Sequence, residues 1–294
     1  MIDFTHNDGR ENLILFIHGL TGDGTTWIND NGNSFADLLL EDPRIASNFD
    51  VGYFDYYSTF YSNNIVSQLL QVSSKLFGFK PRKFKINLDI EGLGKLLTTE
   101  ISTRCSTYKK IIIVAHSLGG LVAKWTILNS LEANKIPVDI FISLAVPHDG
   151  ATLALFGKRL SNNIQINNLA PFQKVLKDMN NQWIQRNPNN LPKTCYYNGL
   201  YDQVVPFSSS EGLSFGKYEI KHFEEDHGTM AKPSSSSSSL LLAVKQQLLM
   251  TIDVDAVKAS NSATLATKIV IDNTSLIEKS SVTDDDRHLN SNVT

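Results

Sequence analysis

The chain has 294 residues, 41% hydrophobic and 19% charged, an ordinary globular balance that allows one large domain with a tail or two small domains. Its net charge of −3 argues against a globally basic nucleic-acid binder. The two cysteines, Cys105 and Cys195, are too few for a disulfide framework or a four-ligand zinc site, which favours a reducing compartment.

The opening residues carry acids and no apolar core before Leu13, so they do not read as a signal peptide, and no run reaches membrane length. The expectation is a soluble, cytoplasmic protein. Leu13 to Ile17 is an unbroken apolar run ending in His18-Gly19, and Ile111 to Ala115 is a β-branched run ending in His116-Ser117. Strands without alternation suggest a parallel sheet covered on both faces. Helical stretches are expected near Phe35–Leu40, Asp89–Ser102, Pro171–Arg186 and Leu240–Met250. Strands are expected at Asp50–Phe54, Asp139–Leu144, Thr194–Asn198 and Tyr218–Phe223. After Ser117, Leu118, Leu121, Val122, Trp125 and Leu128 recur at the spacing of an amphipathic helix. The alternation predicts a doubly wound, mostly parallel α/β sheet with helices on both faces.

The predicted main domain covers residues 1–250, with lid or cap inserts at 60–90 and 151–190. Within the first insert, Ile65 to Ile86 is apolar and basic, with Lys75, Lys80, Arg82, Lys83 and Lys85 and no acid from Tyr56 to Leu88. It suits either an ordinary helix with a solvated basic loop or peripheral membrane contact with anionic lipid. The serine run Ser234–Ser239 reads as a loop that caps the next helix. Residues 251–294 form a polar tail, read as disordered or as the start of a further segment.

The chemistry centres on Ala115-His116-Ser117-Leu118-Gly119-Gly120. A serine hydroxyl is a weak nucleophile and must be presented to a base while the backbone turns sharply from strand to helix. Such a turn needs small residues two before and two after the serine, here Ala115 and Gly119. An oxyanion hole needs two N–H groups from different loops, which points to the backbone amides of Leu118 and of Leu20, after the first strand.

These motifs, with Leu15 to Gly22, Thr26-Trp27 and Leu144 to Gly150, resemble the lipase-like α/β hydrolases, in particular the serine esterase branch of SERAC1-like, PGAP1-like and DUF676 proteins. The resemblance runs from about residue 10 to about 250. It departs at Ala115, where glycine is commonest and alanine is familiar among lipases. It implies a serine hydrolase acting on a carboxylic ester, with a lipid or other hydrophobic acyl ester as substrate.

In chain order the acid and base should follow the serine. Asp202, in Gly199-Leu200-Tyr201-Asp202-Gln203-Val204-Val205-Pro206, stands where a strand ends, and the resemblance strengthens it as the acid. Glu211 and Asp178 are weaker on position. Only His222 and His227 lie between Asp202 and the tail; His222 sits inside a strand pattern, and His227, beside Gly228, is the expected base. His6 and His288 fall in predicted tails. His18 is expected to shape its loop, and His18, His116 and His148 to line the site, with Asp149 beside them. No metal or organic cofactor is implied. The alternatives are an acyltransferase using the same machinery and a hydrolase-fold signalling or scaffolding module of a larger protein; nucleic-acid binding through the basic segment is a remote third.

Overall fold

The computed structural model describes residues 1–19, 22–56, 89–130, 136–149, 170–211 and 215–257. Leu20, the apolar-basic segment and residues 151–169 of the second insert lie outside the described residues, as does the tail beyond 257. The chain divides into two compact units, Met1–Lys245 and Gln246–Thr294.

Seven strands form one sheet in the order β1-β3-β2-β4-β5-β6-β7. They are β1 (Ile2–His6), β2 (Asn12–Ile17), β3 (Phe49–Phe54), β4 (Lys110–His116), β5 (Val138–Leu144), β6 (Lys193–Gly199) and β7 (Tyr218–Phe223). All neighbouring pairs are parallel except β1 with β3, which is antiparallel. β1 was not expected from the sequence, and it places His6 in a strand rather than a tail. Its alternation buries Ile2 and exposes Asp3, and it closes the sheet edge.

β2 is buried at every position and β4 at all but its first, as strands covered on both faces should be. On one face, Leu13, Leu15, Ile17, Ile111, Ile113 and Phe141 join a core with helices α3 (Ile90–Arg104), α4 (Leu118–Ser130) and α5 (Ala170–Gln185). On the other, Phe16 packs on Trp27 at 4.8 Å and on Phe35 of helix α1 (Phe35–Leu40) at 5.6 Å. Two side-chain caps start these helices, Ser34 before α1 and Asp89 before α3, each accepting a first-turn amide.

Two elements differ from their predicted character. α4 is not one-faced but buried almost all round, Lys124 included, because it is wedged between the sheet, α3 and α5. α5, inside the predicted 151–190 insert, sends Leu176, Met179 and Trp183 into the main core, so this part is a wall of the sheet layer. The helix expected at Leu240–Met250 spans 239–257, so the first residues of the predicted polar tail are helical. There Thr251 returns its hydroxyl to the carbonyl of Gln247 at 3.2 Å.

The strand order carries the functional consequence. β2 leads on to β3 on one side and β4 to β5 on the other, yet β2 and β4 are hydrogen-bonded neighbours with Ile17 opposite Ala115. Loops leaving neighbouring strands in opposite directions open a crevice at their carboxyl ends. Ser117 and His18-Gly19 are the residues that emerge there.

Candidate active site

Ser117 has φ 54°, a left-handed conformation unfavourable for a residue with a Cβ, which marks a sharp elbow between β4 and α4. Its amide donates to the carbonyl of Leu144 at 3.0 Å, tying the elbow to the end of β5. The glycines after it are required by close approach. A Cβ on Gly119 would overlap the carbonyl oxygens of Ile17 and His18, and one on Gly120 would overlap Val146. A Cβ on Gly19 would lie 2.8 Å from the Cβ of Ser117 and 3.3 Å from its hydroxyl oxygen. Strand end, Ser117 and helix start are therefore packed to backbone contact.

The structure brings the three predicted polar residues together. His227 Nε2 is 3.0 Å from Ser117 Oγ, and His227 Nδ1 is 2.8 Å from Asp202 Oδ2. A carboxylate beside Nδ1 fixes the proton there, so Nε2 offers its lone pair to the serine hydroxyl. The Asp202 side chain is 1% exposed, and its other oxygen accepts the backbone amides of Val204 and Val205, each at 2.7 Å. The carboxylate is thus held from both ends. His222 instead faces Glu211 at 3.8 Å, both partly exposed.

Leu118 opens α4, where the first amides of a helix lack intrahelical acceptors and carry the positive end of its dipole. Its expected partner Leu20 lies outside the described residues. His18 shapes the neighbouring loop: Nδ1 bonds the Gly19 carbonyl at 2.7 Å and its ring stacks on Tyr56 at 4.2 Å. Tyr56 in turn donates its hydroxyl to the His18 carbonyl at 2.6 Å. Burial raises the Tyr56 phenol far above the ordinary range, so it remains a donor.

His148 was expected to line the site. Its ring instead turns into the packed interior, bonding Ser143 Oγ at 2.8 Å through Nε2 and meeting Tyr196 edge-on at 5.2 Å. Burial holds its pKa well below the ordinary value. Its backbone serves as a junction: the amide donates to Ser209 and the carbonyl accepts from Asn180 at 2.9 Å, while Asn180 Oδ1 accepts from the buried Lys124 at 2.7 Å.

Three features escaped the sequence reading. Asp226 accepts the amides of Gly228 and Thr229, both at 2.8 Å, and so folds the loop that carries His227. These bonds, the Thr229 amide first, hold its pKa below the usual carboxylate value. The Asp-x-x-Thr spacing is a recognisable cap signal. Ala145 takes φ 49° at the end of β5, where nothing about an alanine announces it. His116 bonds the backbone of His227, a contact across 111 residues. Among the described residues no group of His, Cys, Asp or Glu is placed to hold a metal, and no helix is long and apolar enough to cross a membrane.

A seven-stranded, mostly parallel sheet with a serine at a sharp strand-to-helix elbow defines the α/β-hydrolase fold. The chain matches the family described as "Putative serine esterase (DUF676)" over residues 7–184, and it belongs to that family. Membership makes it a serine esterase, a hydrolase of carboxylic esters. Among solved structures it is similar to Est1E from Butyrivibrio proteoclasticus with ferulic acid bound, at 15% identity and TM-score 0.53, covering 86% of this chain and 94% of that one. It is also similar to a lipase-esterase related protein from Clostridium acetobutylicum ATCC 824, at 14% identity and TM-score 0.50, covering 84% and 97%. The RedJ thioesterase of Streptomyces coelicolor shares 14% identity at TM-score 0.50, covering 81% and 86%. These likenesses concern the fold. No curated protein matches the sequence.

Proposed function

We propose that the chain hydrolyses a hydrophobic acyl ester through a Ser117–His227–Asp202 triad and an acyl-enzyme. The observation that carries this reading is the pair of short contacts on one imidazole, 3.0 Å to Ser117 Oγ and 2.8 Å to Asp202 Oδ2. Ser117 Oγ attacks the ester carbonyl carbon while His227 Nε2 takes its proton, and Asp202 stabilises the resulting imidazolium. The oxyanion is received by the Leu118 amide, with Leu20 as the expected second donor. Collapse of the tetrahedral species breaks the ester C–O bond, and the leaving alkoxide takes the proton from His227. Water, deprotonated by the same imidazole, then releases the carboxylic acid and restores Ser117.

A hydrophobic acyl group is supported by the apolar residues next to the triad in sequence and space, Leu118, Val204 and Val205, with Trp27 beside His116. The test is a panel of esters of rising acyl length, phospholipids included, with fluorophosphonate labelling of wild type and Ser117→Ala. Labelling and turnover are expected in wild type and absent in the variant. A folded wild type that neither labels nor turns over any ester refutes the reading.

A further inference from the structure

His116 stands between the last small residue of β4 and the nucleophile, and its ring points back toward the base. Its Nε2 lies 2.7 Å from the carbonyl oxygen of His227. A carbonyl only accepts, so Nε2 carries the proton and donates it. The ring is buried, 4.8 Å from the His227 ring and edge-on to Trp27 at 6.4 Å. Burial, the dominant cause, pushes the His116 pKa down to about 3, against the bond to the His227 carbonyl, which favours the charged ring. The imidazole is therefore a neutral donor near neutral pH, and its buried Nδ1 has no partner among the described residues.

These contacts close a ring. Ser117 is covalently joined to His116, His116 is hydrogen-bonded to the backbone of His227, and His227 Nε2 returns to Ser117 Oγ at 3.0 Å. Asp202 stands outside this ring and holds only the imidazole edge. Neighbouring bonds fix the flanks of the base loop, Tyr201 to the Glu225 carbonyl at 3.0 Å and Met230 to that of Asp226 at 3.2 Å. His116 fixes the peptide of the base itself.

Resting on the proposed triad, we propose that His116 is a positioning residue that sets the distance between base and nucleophile, independently of the acid. A misplacement of about 1 Å between reacting groups costs on the order of 100-fold in rate. The experiment compares His116→Leu, which removes the donor, with His116→Gln, whose amide N–H can reach the same carbonyl. For His116→Leu, kcat is expected to fall by about 10–100-fold with KM within about threefold, and the fluorophosphonate labelling rate to fall in parallel. His116→Gln should recover to within about threefold of wild type. A merely space-filling role predicts no such rescue.

The proposal is overturned if His116→Leu keeps the wild-type kcat, or if folded His116→Gln is as slow as His116→Leu. Should His116→Leu fail to fold, 15N spectra of wild-type histidines decide: His116 must be Nε2-protonated and must not titrate between about pH 5 and 8. An Nδ1-protonated or titrating ring overturns it. An unlabelled wild type sinks the triad itself, whereas a labelled wild type, a blank Ser117→Ala and an unimpaired His116→Leu sink only the role of His116.

Discussion

Replacing Asp202 by asparagine tests the proposed triad at its most constrained atom. Oδ1 accepts two backbone amides, from Val204 and Val205, each at 2.7 Å, in a site where the side chain is 1% exposed. An asparagine must keep its single oxygen there, because its NH2 facing two N–H donors would leave buried donors unpaired at about 1–3 kcal/mol each. The NH2 therefore faces His227 Nδ1, which at present meets a carboxylate at 2.8 Å. His227 must then surrender the Nδ1 proton and carry it on Nε2, where it points at Ser117 Oγ and cannot accept the hydroxyl proton. The fold survives and the tautomer is wrong. Loss of an acid through the wrong tautomer costs kcat about 10⁴-fold, or about 5.5 kcal/mol in barrier. Initial rates on a short acyl ester, with melting temperature as control, measure it, and 15N histidine spectra report the tautomer directly. A fall in kcat below about tenfold with the fold intact would refute the reasoning.

Other predictions follow from single contacts. Gly119→Ala places a methyl on the carbonyl oxygens of Ile17 and His18, which are backbone and cannot swing aside; urea melts should show a loss of at least about 2 kcal/mol, and fluorophosphonate labelling should disappear. Asp226→Ala removes the acceptor for Gly228 and Thr229 from the base loop, and kcat is expected to fall by about tenfold while KM stays within about threefold, read from steady-state kinetics. Lys124 is the pH-dependent case: burial lowers its pKa from 10.5 to about 7, so between those values the unfolded chain holds a proton that the folded chain lacks, and stability rises with pH across that window. The penalty is full below about pH 7, so the stability difference between wild type and Lys124→Met, from chemical melts, should shift by roughly 3–5 kcal/mol in favour of wild type on going from pH 6.5 to 10.5, and a flat difference would show that the amine keeps its ordinary basicity.

Much of the candidate site was legible because its signals are local. Ser117 with Ala115 and Gly119 is a pattern of six consecutive residues, and the backbone overlaps at Gly119 and Gly120 show why those two positions are bare. Asp202 and His227 were readable from order and position, since each stands just past a strand. The strands themselves were legible wherever continuous burial forced continuous apolarity, as in β2 and β4. β1 was missed because an edge strand hides its signal in two inward residues, Ile2 and Phe4, among polar neighbours. α4 was given one apolar face, Leu118, Leu121, Val122, Trp125 and Leu128, which leaves Lys124 off that face. The structure buries Lys124 with its amine on Asn180, 2.7 Å away, and over the ring of Trp183.

The histidines show why the remainder was opaque. His18, His116 and His148 all sit at or shortly after the carboxyl ends of strands of the same sheet, and sequence position grouped them as one set of site-lining residues. Their neighbours, most of them brought in from far along the chain, gave them separate tasks. Tyr56 stacks on His18 and keeps it with its own loop. The carbonyl of His227 draws His116 toward the base. Ser143 and Tyr196 turn His148 inward, away from the crevice, where an ionised ring would be costly. An imidazole takes its role from the two partners its nitrogens find, and only a residue whose partners lie close in sequence discloses that role there. Ser117 needs a particular backbone turn, which its neighbours encode; His116 needs a particular distant carbonyl, which they do not.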